Sequence, residues 1–171
     1  AVGGNLLSAV GMLVAIVATL LNNEILSFSW IIVGIAAGSV IGSIIALTIQ
    51  MTAMPQMVGL FNGFGGGASV LVATAALFEA VGAGAAAGAA AIAMDLQFSI
   101  ATVLSALIGA VTFWGSLVAF GKLSGIVSEK ALRYPGDQIV KALVGIGIIV
   151  AAVLLVLNPA QLLYLWIVIG L

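Results

Sequence analysis

The chain has 171 residues, of which 64% are hydrophobic and 5% charged, with a net charge of −1 and neither cysteine nor histidine. A soluble domain carries roughly a quarter charged residues, so this composition excludes a water-soluble globular fold. It also excludes disulfides, thiol nucleophiles, histidine acid–base chemistry and His/Cys metal centres, and so few charges give no basis for a nucleic-acid partner.

Apolar stretches repeatedly exceed the ~18 residues needed to cross ~30 Å of hydrocarbon. They predict an all-α membrane protein, a polytopic transmembrane helix bundle of about six spans over residues 1–171. The first span, residues 5–21, lacks a charged n-region and reads as a transmembrane helix, not a cleaved signal peptide. Asn22, Asn23 and Glu24 lead to the second span, 30–49, on which Gly34, Gly38 and Gly42 recur every four residues. Gln50 to Met54 form a tight link, and Pro55 suits the first turn of the third span, 55–79, where no backbone donor is lost. This span carries Gly59, Gly63 and Gly67 at the same spacing, and one amide, Asn62. The Ala/Gly stretch 81–97 fits either a short interfacial helix or an irregular loop. A fourth span covers 99–120 and a fifth 138–157; Asn158-Pro159 then makes a turn before a sixth span, 161–171. Eleven residues cannot cross a bilayer, so that span is expected to be truncated and the chain to be a fragment of a larger bundle.

All four basic residues, Lys122, Lys130, Arg133 and Lys141, lie in or beside the loop between the fourth and fifth spans. The positive-inside bias places this loop, 122–137, in the cytoplasm. Glu24, Glu79 and Asp95 then fall on the opposite face, where Trp30, Tyr164 and Trp166 form an aromatic belt. Glu79 at a span end is an ordinary interfacial carboxylate. Glu129, Lys130 and Arg133 read as a solvated loop or a docking surface for a cytoplasmic partner.

Four-residue spacing stacks glycines on one helix face and lets two backbones approach closely. The short link makes the second and third spans expected antiparallel neighbours, packed through these faces. Gly63-Phe-Gly-Gly-Gly-Ala68 matches a dinucleotide fingerprint, but that motif needs a preceding strand and an aqueous helix N-terminus, and here it lies inside a membrane-length helix. No catalytic, cofactor-binding or metal-ligating residue is therefore assigned. Asn62 requires a partner in hydrocarbon, and Ser69 lies two turns deeper on its face. Ser105, Thr112 and Ser116 form a comparable stripe on the fourth span. With a 1.5 Å rise per residue, Asn62 lies ~10 Å in from Pro55 and Ser116 ~9 Å in from Lys122, at similar depth. These groups fit helix–helix glue or a hydrated polar path; hydroxyls commonly bond the carbonyl one turn back.

Met51-Thr-Ala-Met-Pro-Gln-Met-Val58, Asn62 with its glycines, Gly109-Ala-Val-Thr-Phe-Trp-Gly-Ser-Leu-Val-Ala-Phe-Gly-Lys-Leu123 and Tyr134-Pro-Gly136 together resemble the membrane domain of the beta subunit of proton-translocating NAD(P) transhydrogenase. The resemblance implies hydride transfer from NADH to NADP⁺ coupled to proton movement across the bacterial cytoplasmic (inner) membrane. It implies NAD bound by an alpha subunit and NADP by a cytoplasmic domain downstream of the beta subunit's helices, with no cofactor on the present residues. The implied partners are the alpha subunit, a second copy in a two-fold dimer, the NADP-binding domain and the lipid bilayer. Asn62 falls where many relatives carry a histidine proposed to take and release the proton. An amide cannot titrate, so either another subunit supplies the ionisable group or water held by Asn62 carries the proton. Ser116 falls on the serine of a GS motif beside the channel. The family pattern also implies a further helix before Ala1, and more crossings and the NADP domain after Leu171. A stand-alone channel or secondary transporter fits the same composition and is separated only by the motifs; a structural membrane subunit would explain the glycine faces but not the aligned polar stripes.

Overall fold

The computed structural model describes residues 2–21, 28–86, 95–128, 130 and 135–170. These residues form six α-helices and one 3-10 turn, and no strand occurs among them. The chain divides into two units, residues 1–49 and 50–171.

The first unit holds α1 (Val2–Leu20) and α2 (Phe28–Thr48). Both are continuous apolar helices with one hydroxyl in the last turn. Thr19 and Thr48 donate to the carbonyls of Ala15 and Ile44 at 2.9 and 2.7 Å, which satisfies the hydroxyl within the helix itself. No described residue of α2 is buried, and Trp30, Ile32 and Leu47 are among its exposed apolar side chains. In hydrocarbon this exposure carries no solvation cost.

The second unit opens with the 3-10 turn Met51–Ala53, followed by α3 (Met54–Ala86), α4 (Leu96–Leu123), α5 (Asp137–Leu157) and α6 (Leu162–Gly170). Pro55 occupies the first turn of α3, as its missing N–H favours. The third helix is longer than the sequence pattern predicts, continuing past Glu79 to Ala86. Alanine is the strongest helix former, and it carries the helix into the Ala/Gly stretch. Residues 87–94, the rest of that stretch, lie outside the described residues. Likewise α4 exceeds the expected 99–120 at both ends. Five helical segments, 3–20, 28–48, 51–84, 96–123 and 137–157, are long and apolar enough to cross a membrane. With nine residues, α6 is not.

In the second unit α3 and α4 run antiparallel, and α5 and α6 pack against them around Ala73, Leu77, Val103, Ala106, Leu155 and Leu165. Leu77, Leu155 and Leu165 are fully enclosed. Between membrane helices such contacts stabilise through van der Waals packing, because lipid tails are as apolar as leucine. The indole Nε1 of Trp114 on α4 adds a directional tie by donating to the Ile169 carbonyl of α6 at 2.9 Å.

The two ends of the α4–α5 connection are set by glycines. Gly125 adopts φ +74°, and its N–H donates to the Lys122 carbonyl, turning the chain off the end of α4. Gly136, at φ +87°, leads into α5, whose first turn carries Asp137 paired with Lys141 at 2.8 Å. At the same end of α4, the Gln56 side chain of α3 donates to the Leu123 carbonyl at 2.9 Å and satisfies one of the carbonyls a helix terminus leaves open.

Candidate polar groove between α3 and α4

The seam between α3 and α4 is built on glycine. A Cβ on Gly66 would sit 2.7 Å from the Gly109 carbonyl oxygen, and one on Gly109 would sit 2.8 Å from the Gly66 oxygen. The two backbones are therefore in direct contact, at a distance only glycine permits. A Cβ on Gly63 would sit 3.3 Å from Ser116 Cβ, one on Gly67 3.1 Å from the Phe113 ring, and one on Gly59 3.6 Å from the Phe120 backbone. Gly59, Gly63 and Gly67 of α3 thus pack against α4, whereas the sequence reading assigned their face to the second span. The physical reason is that α4 presents its own small and hydroxyl residues, Gly109 and Ser116, at matching heights. Gly34, Gly38 and Gly42 lie on α2, in the other unit.

Glycine at the crossing leaves no side chains there to fill the space alongside. A groove of about 380 Å³ results, open on one side and lined by Asn62, Gly65, Gly66, Ser69, Ser105, Ile108, Gly109 and Thr112. At one end of it the Asn62 carboxamide Nδ2 donates to Ser116 Oγ at 2.9 Å, across the helix pair. Ser116 is buried, while Asn62 is exposed at the groove's rim. The Ser69 hydroxyl donates to the Gly65 carbonyl at 3.1 Å, and its oxygen keeps its capacity to accept. Asn62, Ser69, Ser105 and Thr112 therefore share one surface, and Ser116 closes its end.

None of the lining side chains titrates near neutrality, so the groove can bind water and donate or accept hydrogen bonds but cannot itself hold a charge. No group of three His, Cys, Asp or Glu residues that could hold a metal occurs among the described residues. The Gly63–Ala68 pattern lies wholly within α3 and has neither the strand nor the turn that a pyrophosphate site requires.

Sequence reasoning did not single out Gly66, Gly109 or Phe113, which make the closest contacts, nor the buried hydroxyls Ser99 and Thr102. A signal was present: small or hydroxyl residues recur every three or four positions from Ser99 through Thr102, Ala106, Gly109 and Thr112 to Ser116. Reading only the hydroxyls hid the continuity of that face.

Six residues of 109–123 acquire a place in this geometry. Gly109 meets Gly66, Phe113 meets Gly67, Trp114 reaches Ile169, Ser116 holds Asn62, Phe120 covers Gly59, and the Leu123 carbonyl receives Gln56. This is the segment whose sequence is most specific, and the family model for the NAD(P) transhydrogenase beta subunit matches residues 1–171. The chain belongs to that family. It is 42% identical over 134 residues to proteins named NAD(P) transhydrogenase subunit beta from Rhodospirillum rubrum and from its strain ATCC 11170. The matched region is 77% of this chain and 28% of each relative. The chain thus spans less than a third of the transhydrogenase beta subunits it matches, and the part it spans is multi-pass membrane helix.

Proposed function

We propose that this chain forms part of the membrane proton path of a transhydrogenase that couples hydride transfer from NADH to NADP⁺ with proton movement. The observation that carries the reading is the Asn62–Ser116 bond standing at one end of an open groove with Ser69, Ser105 and Thr112. A polar groove open toward hydrocarbon is costly, because each unmatched amide or hydroxyl loses its hydrogen bonds to water. Water, or polar groups of a neighbouring helix, must therefore cover it. Since no lining residue titrates, the proton moves on water held in the groove or on an ionisable group from a partner. Asn62 orients that water: Nδ2 is committed to Ser116, and Oδ1, without a partner among the described residues, is available as an acceptor.

In this reading NAD is bound by the alpha subunit and NADP by a cytoplasmic domain, with no nicotinamide site on the present residues. The alpha subunit and a second copy of the chain supply the helices that enclose the groove. The enzyme resides in the bacterial cytoplasmic membrane with the 122–137 connection on the cytoplasmic side, as the clustered basic residues favour.

Asn62→Leu tests the proposal, since leucine is similar in size but cannot bind water. In the assembled enzyme it should lower proton-coupled transhydrogenation while nucleotide binding by the soluble domains is unchanged. Proton pumping at the wild-type rate in a correctly assembled variant would remove Asn62 from the mechanism.

A further inference from the structure

The contacts that hold α3 to α4 are unevenly distributed about the Gly66–Gly109 crossing. The apolar core lies wholly on one side of it. Ala73 and Leu77 come after Gly66 on α3, Val103 and Ala106 come before Gly109 on α4, and Leu155 of α5 and Leu165 of α6 join them. On the other side, toward Lys122, no residue of α3 from Met54 to Asn62 is buried within the unit. Two hydrogen bonds span the seam in this half. Gln56 Nε2 donates to the Leu123 carbonyl and, ~9 Å further along α3, Asn62 Nδ2 donates to Ser116 Oγ, both at 2.9 Å.

The Leu123 carbonyl is open to Gln56 for a local reason. Just beyond it the chain wraps back onto α4. Ser124 N and Oγ donate to the Phe120 carbonyl at 2.9 and 2.7 Å, Val127 N to the Gly121 carbonyl at 2.8 Å, and Gly125 N to the Lys122 carbonyl at 3.2 Å. These serve three of the four carbonyls that a helix end leaves open, and Gln56 serves the fourth. The Val127 side chain lies over Gly121, where a Cβ would come within 2.9 Å of it. The end of α4 and the start of the basic connection are thus one folded piece, to which Gln56 ties α3. Because Trp114 also braces α4 to α6, the element left free to swing is the first part of α3.

We propose that Gln56 is a positioning residue for the groove: a releasable clasp that holds the first turns of α3 against α4 and keeps the Asn62–Ser116 bond made. The inference rests on the proton-path reading above and adds where that path opens. Measured along α3, Gln56 lies ~15 Å from the Gly66 contact and Asn62 only ~6 Å. In a pivot about that contact, parting Asn62 from Ser116 by a given distance moves Gln56 roughly 2.5 times as far, so the Gln56 bond breaks first. Its release is cheap, because at the open end of the helix pair it is exchanged for bonds to water. The inner bond then parts only as water follows α3 outward, since an unmatched amide is costly in hydrocarbon. Opening the clasp therefore hydrates the end of the groove nearest Lys122.

The test uses the assembled enzyme reconstituted in vesicles and exploits the chain's lack of cysteine. A Cβ on Gly59 would sit 3.8 Å from Phe120 Cα, so Gly59→Cys combined with Phe120→Cys is within disulfide reach and should lock the arm shut on oxidation. Proton-coupled transhydrogenation should fall at least tenfold in the locked enzyme and return with dithiothreitol. Nucleotide binding should be unchanged, and each single-cysteine variant should be indifferent to the same oxidation. Cross-linked enzyme that pumps at its reduced rate, or a pair that does not cross-link, would overturn the proposal. Gln56→Met removes the donor at similar length, and Gln56→Lys supplies another. Without nucleotide, the methionine variant should pass protons down an imposed gradient several-fold faster than wild type, and the lysine variant at about the wild-type rate. A methionine variant that melts lower but does not leak would reduce the bond to packing and overturn the clasp. If either the cysteine pair or the methionine variant fails to assemble, the other decides. Asn62→Leu run alongside separates the two readings: if it is impaired and the cross-link is harmless, only the clasp falls; if neither changes pumping, the proton path falls as well.

Discussion

The Asn62 carboxamide and the Ser116 hydroxyl join α3 to α4 at 2.9 Å, one turn from the pair of glycines where the two backbones touch. The bond satisfies a donor that hydrocarbon could not, and it ties the amide plane to α4. Ser116→Ala should release that plane. Interhelical bonds of this kind are worth ~0.6 kcal/mol on average, so thermal stability in detergent should drop only slightly. Proton-coupled turnover should fall more than stability does; parallel losses in both would assign the pair to packing alone.

The glycine contacts give a graded prediction. Gly66→Ala places a methyl 2.7 Å from backbone atoms of Gly109 and Phe113, which cannot yield without moving a helix. Overpacking of that kind costs about 1–3 kcal/mol. At Gly59 the nearest atom is 3.6 Å away, an ordinary contact, and alanine gains up to ~1 kcal/mol in helix propensity. Melting in detergent should therefore fall for Gly66→Ala and stay level or rise for Gly59→Ala. The reverse order would contradict the seam as described.

Trp114→Phe should keep the ring's apolar packing, including its edge contact with Phe113 at a centroid distance of 5.1 Å, and lose the bond to Ile169. A net loss of about 0.5–1.5 kcal/mol is expected. If the phenylalanine variant melts at the wild-type temperature, the α4–α6 tie contributes nothing.

The purified chain should bind no nicotinamide nucleotide. Calorimetric titration with NADPH should give no saturable heat; micromolar binding would contradict the expectation, since the Gly63–Ala68 pattern lies inside a helix with no strand before it.

Much of this arrangement was legible in the residues. Span number and type follow from apolar length alone, because the bilayer demands it, and the shared depth of Asn62 and Ser116 follows from helical rise measured from Pro55 and Lys122. The partner of the glycine face was not legible. A short connection favoured the second span, yet which helix fits is decided by matching heights of Gly66 with Gly109 and Gly63 with Ser116, and a one-dimensional pattern contains no such match. The extension of α3 to Ala86 was missed because alanine and glycine pull in opposite directions, and there alanine prevails.

Gly66 and Gly109 also bear on how the groove can move. Their backbones already touch, so the crossing is a mechanical stop: α3 and α4 can separate or pivot there but cannot draw closer. The groove floor beside it is the peptide of Gly65, Gly66 and Gly109, so at the crossing itself the width is set by interhelical spacing. At that point the two helices stand as close as their backbones allow, and any conformational change that parts them there can only widen the groove beside it.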